Sequence, residues 1–454
     1  MTFEVINPVD GRVLKEIPSW GSEQIEQAIA ESAQAAPAWA ALPIEQRAKH
    51  MRSLAATIRA DKLRLAALIT QEMGKLYREA QAEVDKCAAL CDYYAEHAAA
   101  FLADEEIASD AGCSRVVYQP LGTILAVMPW NFPLWQVMRF AVPTLMAGNT
   151  GLLKHASNVP QCALALEQLM VDAGLPQGVF RSLMIRAPQV QQVIEDDRVH
   201  AVALTGSTPA GKQVAAVAGS VLKKCVLELG GSDPFIVLED ADIALAVKNA
   251  VASRYLNAGQ SCIAAKRFIV VEAVAEAFLQ HFKTAVAALN PGDPMADEST
   301  LAPMARVDLR DELHQQVQTS IQQGAVALTG CQSVAGDGAF YQPSILDQVT
   351  PGMLAYSEEL FGPVAIVIRA KDQADALHIA NDSVFGLGAS VWTQDVARGE
   401  QLARQIAAGA VFVNGMVKSD ARLPFGGIKQ SGYGRELSLL GIREFVNAKT
   451  LWVK

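Results

Sequence analysis

Short apolar runs recur along most of this chain, and longer stretches with helical spacing separate them. "TGLLKH", "VHAVAL", "CVLEL", "PFIVL", "RFIVVE", "AIVIRA", "ASVWT" and "AVFVNG" are spread between residues 150 and 415. Such alternation predicts an α/β fold with largely parallel sheets. Ahead of them, residues 22–104 read as helices. "SEQIEQAIAESAQAAPAWAAL", "IEQRAKHMRSLAATIRADKLRLAALITQEMG" and "AQAEVDKCAALCDYYAEHAAAFLADE" carry apolar residues at helical spacing and much alanine. "SRVVYQPLGTILAVMP" (114–129) reads as a strand-like piece. The tail "LLGIREFVNAKTLWVK" ends in a strand-like run that needs a partner, and a second subunit would serve.

At 454 residues, two or three domains are expected. The net charge of −10, with no Lys/Arg-rich run, argues against nucleic acid and acidic membranes as partners. No apolar stretch is long enough to span a bilayer, and "MTFEVINPVDGR" has no secretory pattern. The seven cysteines, scattered from Cys87 to Cys331, form no disulfide framework, so a reducing cytoplasm is expected. Cys87 and Cys91 read as neighbours on one helix face. The histidines are dispersed, no zinc spacing occurs, and no metal is expected.

The fingerprint G-x-G-x-x-G is absent. "VHAVALTGSTPAGKQ" (199–213) instead runs a strand into Gly206 and Ser207, with Thr208 suited to an N-cap and Pro209 to the first helical position. A helix start after a strand and glycine offers free backbone N–H groups to an anion. Gly206, Gly211 and Lys212 nearly complete a P-loop, but Gln213 stands where a magnesium-binding hydroxyl belongs. A pyrophosphate therefore suits this segment better than a metal-bound triphosphate; a plain capped helix is the alternative.

"NAGQSCIAAKR" (257–267) puts Cys262 among small and polar residues rather than in an apolar run. That is where a reactive thiol belongs, although most buried cysteines are fillers. "CVLELGGSDPFIV" places Glu228 at the end of an apolar strand: a general base with a raised pKa, or a paired core acid. "VMPWNFPLWQVMRF" holds Asn131 between aromatic and proline residues: an oxyanion donor, or a turn asparagine bonding its own backbone. Thiol, base, amide and dinucleotide site together describe acyl chemistry.

With "PWNFP", "LTGSTPAG", "LELGGSDPFIV", "NAGQSC", "EELFGPV" and "PFGGIKQSGYGRE" in this order, the whole chain resembles the NAD(P)-dependent aldehyde dehydrogenase superfamily, and within it the short bacterial succinate semialdehyde dehydrogenases. The resemblance implies a Rossmann-like cofactor domain (1–101 and 120–230), an α/β catalytic domain (231–430) and a small β oligomerisation element (102–119 and 438–454) building a homodimer or homotetramer. It implies Cys262 as nucleophile, Glu228 as base, and Asn131 with the Cys262 N–H as oxyanion hole. Gly206 and Ser207 would approach the pyrophosphate of NAD or NADP, Lys154 and Ser157 the adenosine ribose, and Glu359 the nicotinamide ribose. Phe361 and Trp130 would flank the nicotinamide and the pocket.

For a substrate carrying its own carboxylate, Gln136 and Arg139 lie one turn apart on a helix expected to begin near Pro133. Arg139 would bind that carboxylate, or pair with a core acid, or reach the surface. Ser419 would add a hydrogen bond, or face solvent. Three departures from the resemblance stand out. Leu256 occupies a place where such enzymes often carry a second arginine, with Arg254 two places earlier. Ala264 replaces a second cysteine, so no redox disulfide with Cys262 is expected. Ser157 stands where strictly NAD-using relatives often have Glu, which permits NADP. Glu228 favours hydrolysis of a thioester over its transfer to coenzyme A.

Overall fold

The computed structural model describes residues 2–454. Two largely parallel sheets carry the chain, and all eight short apolar runs named above form strands in them. In the first sheet, Thr123–Met128 holds the centre. The chain steps outward through Thr150–His155 to Phe180–Ser182, then returns to the other side of the centre as Val199–Thr205 and Lys224–Glu228. These five strands are parallel, and Gly432–Tyr433 closes the outer edge antiparallel to Lys224–Glu228.

The strand order reverses between Thr123–Met128 and Val199–Thr205. In open α/β sheets, ligands bind beyond the carboxyl ends of the strands at such a reversal. The segments that leave those two ends carry Trp130 and Asn131 on one side, and Gly206 and Ser207 on the other.

The second sheet runs Val326–Thr329, Ser344–Asp347, Val364–Ala370, Ala265–Val271, Asp233–Val237, Gly388–Trp392 and Ala410–Val413, antiparallel only at Val326–Thr329. Every residue of Asp233–Val237 and Ala265–Val271 is buried, as expected of parallel strands covered on both faces.

Only residues 229–232 separate the carboxyl end of Lys224–Glu228 from the amino end of Asp233–Val237. The carboxyl edge of the first sheet thus feeds into the amino edge of the second. Cys262 precedes Ala265–Val271 at that same amino edge, and Glu359 and Phe361 precede Val364–Ala370. The junction is tight. A Cβ on Gly231 would lie 2.7 Å from the Cys262 carbonyl oxygen, closer than such contacts tolerate.

Three expectations shift in detail. The long helical stretch after residue 44 divides at Asp61 into Ile44–Ala60 and Lys62–Met73. The strand-like piece 114–129 divides at Gly122, whose φ of 125° breaks it. Cys113–Pro120 then joins a separate sheet, with Glu105–Glu106 and the terminal strand Val446–Val453. The helix expected near Pro133 begins at Trp135. Cys87 and Cys91 do share the buried face of helix Tyr77–Phe101, and all seven cysteines are free.

Gly231→Ala is expected to cost about 1–3 kcal/mol, the usual penalty for overpacking a tight contact. A denaturant unfolding curve checks this; an unchanged midpoint would mean that the junction has slack.

Candidate active site

The site is built from the N-terminal end of helix Tyr77–Phe101. Its buried stripe of Ala80, Val84, Cys87 and Cys91 is interrupted by an acid, Glu83. Glu83 pairs with Lys75, just ahead of the helix, and both are buried. The Lys75 ammonium also donates to the Asn131 carbonyl at 3.0 Å. One Glu83 oxygen accepts from the N–H groups of Leu134 (2.9 Å) and Trp135 (3.0 Å), the open start of helix Trp135–Met146. One ion pair therefore fixes both sides of the Asn131 loop.

That loop is also tied to the thiol. Asn257, Ala258 and Gly259 are left-handed in succession, with φ of 54°, 52° and 73°. Non-glycine residues adopt this conformation at a cost, which hydrogen bonds offset. The Asn257 N–H donates to Glu79 (3.0 Å), and its amide donates to the carbonyls of Asn131 (2.8 Å) and Gln260 (3.1 Å). Gly259 packs on Gly362, where a Cβ would lie 2.2 Å from the carbonyl oxygen. Arg254 is fully buried and donates to the carbonyls of Gly259 (3.2 Å), Leu360 (3.0 Å) and Gly362. Its guanidinium thus braces the thiol loop against the segment bearing Glu359 and Phe361.

Cys262 emerges half-buried on the wall of a cavity of about 440 Å³. Phe132, Trp135, Gln136, Arg139, Ser419 and Phe425 share that wall. Burial pushes the Cys262 thiol up to about 12, against the pull of the Arg139 and Lys266 charges. Lys266 donates to the carbonyls of Ser261 (2.8 Å) and Cys262 (2.9 Å) and pairs with Glu359 at 3.1 Å. The Asn131 amide donates one N–H to the Gln260 carbonyl at 3.0 Å. Its second N–H is left for another acceptor.

Glu228 is buried, and neither carboxylate oxygen has a hydrogen-bond partner among the described residues. Burial raises its pKa well above the usual carboxylate range, and the nearby Glu436 raises it further; Arg139 acts in the opposite sense. A Cβ on Gly426 would come within 2.6 Å of the Glu228 carboxylate. Arg139 is itself paired with Glu436 and lies over the Phe425 ring at 4.4 Å. Gln136 is buried with its side-chain oxygen unpartnered. Ser419 is buried, not solvent-facing, and accepts from Lys86 at 2.7 Å. Leu256 lines the cavity while Arg254 does not.

On the first sheet's side, the N-cap is Ser207 rather than Thr208: its hydroxyl accepts from the Ala210 N–H, and the helix runs Thr208–Ser220. The Gly206 N–H is taken by the Glu228 carbonyl at 3.0 Å. Lys154, near the end of Thr150–His155, is buried, and its ammonium has no hydrogen bond or ion pair among the described residues. Burial lowers its pKa, as befits a donor left for a ligand. Ser157 is exposed beyond the strand end. Glu359 accepts from the Gly231 N–H at 3.2 Å, and Trp130 meets Phe361 edge-on with ring centres 5.9 Å apart. An unpaired buried lysine and a capped, exposed helix start, both at the carboxyl edge of the reversing sheet, fit a dinucleotide.

The sequence reading passed over Lys75, Glu83, Lys86, Lys266 and Glu436. Glu83 had a signal, an acid in an apolar stripe; the others become visible only through their partners.

Fold and site are those of a dinucleotide-dependent oxidoreductase. The model of the aldehyde dehydrogenase family matches residues 1–451. The chain is 52% identical over 447 residues to the succinate semialdehyde dehydrogenase [NAD(P)+] Sad of Escherichia coli K12, covering 98% of this chain and 97% of that one. It is 48% identical, over the full length of both, to a probable succinate-semialdehyde dehydrogenase [NADP(+)] of Synechocystis. The structure of succinic semialdehyde dehydrogenase from Streptococcus pyogenes with NADP+ superposes with a TM-score of 0.98 at 37% identity, covering 99% of each chain. The chain belongs to the aldehyde dehydrogenase family.

Glu83→Ala strands the Lys75 charge and uncaps a helix. It is expected to cost about 3–5 kcal/mol, measurable by urea unfolding, and a cost below about 1 kcal/mol, the scale of a surface pair, would mean that the pair is not a structural hub.

Proposed function

We propose that this chain oxidises succinate semialdehyde to succinate with NAD(P)+, through a thioester on Cys262. The observation that carries the reading is the tying of the Cys262 and Asn131 loops to each other where the two sheet edges meet, with a buried, unpaired Glu228 ending the strand that leads into that junction. The names of the relatives above support the substrate class.

The Cys262 thiol gives up its proton to solvent, the thiolate sulfur attacks the aldehyde carbon, and the carbonyl electron pair moves to oxygen. The free N–H of the Asn131 amide and the Cys262 backbone N–H hold that oxyanion. The bound dinucleotide supplies the hydride acceptor. Lys154, Ser157 and Ser207 would hold its adenosine and pyrophosphate side, with Gly206 letting the chain approach it closely, and Glu359, Phe361 and Trp130 would hold its nicotinamide side. Glu228 then takes a proton from water, whose oxygen attacks the thioester carbon and releases the Cys262 sulfur. Gln136, Arg139 and Ser419 form the substrate wall. No carboxylate at Ser157 repels a 2′-phosphate, so both cofactors are accepted. Transfer of the acyl group to coenzyme A is disfavoured, because Glu228 promotes hydrolysis.

We assign residues 1–101 and 120–230 to the cofactor domain, 231–430 to the catalytic domain, and 102–119 with 438–454 to oligomerisation. Leu451, Trp452 and Val453 are 39%, 50% and 56% exposed on an open edge strand, and a second copy covering them gives a homodimer or homotetramer. No helix among the described residues is long and apolar enough to cross a membrane. Free thiols throughout fit a cytoplasmic enzyme.

Mixing the protein with succinate semialdehyde and NAD+ or NADP+ is expected to produce reduced nicotinamide absorbance, abolished in Cys262→Ala. Absence of signal with either cofactor would refute the assignment. Because burial raises the Glu228 pKa and so favours its protonated form, kcat is expected to climb as pH rises. A flat kcat–pH profile would remove Glu228 from the rate-limiting step.

A further inference from the structure

The cavity beside Cys262 contains several charged side chains, and most are already committed. Lys75 is paired with Glu83, and Arg139 with Glu436. Glu79 accepts the Asn257 N–H. Arg78 donates to the Asp297 carbonyl at 3.3 Å. Leu256, on the wall as well, brings no charge, and Lys418, also on the wall, is exposed to solvent.

Lys86 is different. It lies on the cavity wall, half-buried on helix Tyr77–Phe101, with its ammonium 4.1 Å from the centre of the Trp135 ring. Among the described residues it has no carboxylate partner. Its neighbour Asp85 is paired with Lys62, and Asp420 with Arg422. Its bonded partner is neutral: Lys86 donates to the Ser419 hydroxyl oxygen at 2.7 Å. A hydroxyl that accepts from an ammonium keeps its own proton free to donate. Ammonium and hydroxyl together thus offer two donors to one anionic group. Burial, reinforced by the Arg139 charge, draws the Lys86 pKa down to about 8. A cation held away from water in this way gains from an arriving anion.

We propose that Lys86 and Ser419 together bind the carboxylate at the far end of the aldehyde substrate, with Lys86 supplying the ion pair. This rests on the succinate semialdehyde reading and adds to it the residue that selects the charged aldehyde. Arg139, already paired with Glu436, contributes mainly to the potential around Cys262.

Steady-state kinetics of wild type, Lys86→Met, Lys86→Arg and the exposed variant Lys371→Met, remote from the cavity wall, with succinate semialdehyde and with uncharged butanal, test this. Lys86→Met is expected to raise KM for the semialdehyde roughly ten- to a hundredfold, the range for a lost charged hydrogen bond. Its kcat, and both constants for butanal, should stay near wild type. Lys86→Arg should recover most of the KM, and Lys371→Met should change nothing. A KM for the semialdehyde that is unchanged in Lys86→Met, or one that rises equally for butanal, overturns the role of Lys86. A wild type that does not prefer the semialdehyde to butanal overturns the substrate reading itself, and Lys86 falls with it. Should Lys86→Met fail to fold, Lys86→Gln carries the same comparison.

Discussion

One buried ammonium organises this site. Lys75 gives its charge to Glu83 and a hydrogen bond to the Asn131 carbonyl. Glu83 passes that anchorage to the start of helix Trp135–Met146. The Asn131 carbonyl also receives the amide of Asn257, so the amide loop and the thiol loop share one fixed point. Buried ion pairs are weak sources of stability, because desolvating two charges costs about as much as their attraction returns. What this pair contributes is position, since the further hydrogen bonds of Lys75 and Glu83 go to the backbone of Asn131, Leu134 and Trp135.

The two sheets divide the labour. The first presents its carboxyl edge, where the strand order reverses and helix starts face outward; the second presents its amino edge, with Cys262 and Glu359 ahead of their strands. The short Gly230–Gly231 connection holds the edges together, and side chains there would collide with Glu359 and with the Cys262 carbonyl. Electrostatics follow from the same geometry. Closing the seam strips water from Cys262 and Glu228 alike and raises both pKa values. Arg139 is the shared correction, since its charge lowers both. Burial thus favours the protonated form of both groups.

Much of this was legible in the chain. The eight apolar runs are strands because parallel strands covered on both faces need no polar alternation. Cys262, Glu228 and Asn131 stood out as polar or reactive groups in places where packing alone does not put them. The N-cap was misplaced by one residue because Ser207 and Thr208 are equally able caps, and only backbone geometry chooses. The break at Gly122 was missed because a strand-like run does not record a change of sheet. Lys75 and Lys86 were invisible for a different reason. A lysine beside or within a helix reads as a solvated charge until Asn131, 56 residues from Lys75, or Ser419, 333 residues from Lys86, is seen to meet it.

The central claim is that Cys262 carries the acyl group and that Glu228 releases it. Mass spectrometry of Glu228→Gln, quenched after mixing with succinate semialdehyde and NAD(P)+, tests this most directly. The account predicts a succinyl adduct on the peptide containing Cys262, accumulating to near one per chain. A free Cys262 with undiminished turnover, or the adduct on another residue, would contradict it.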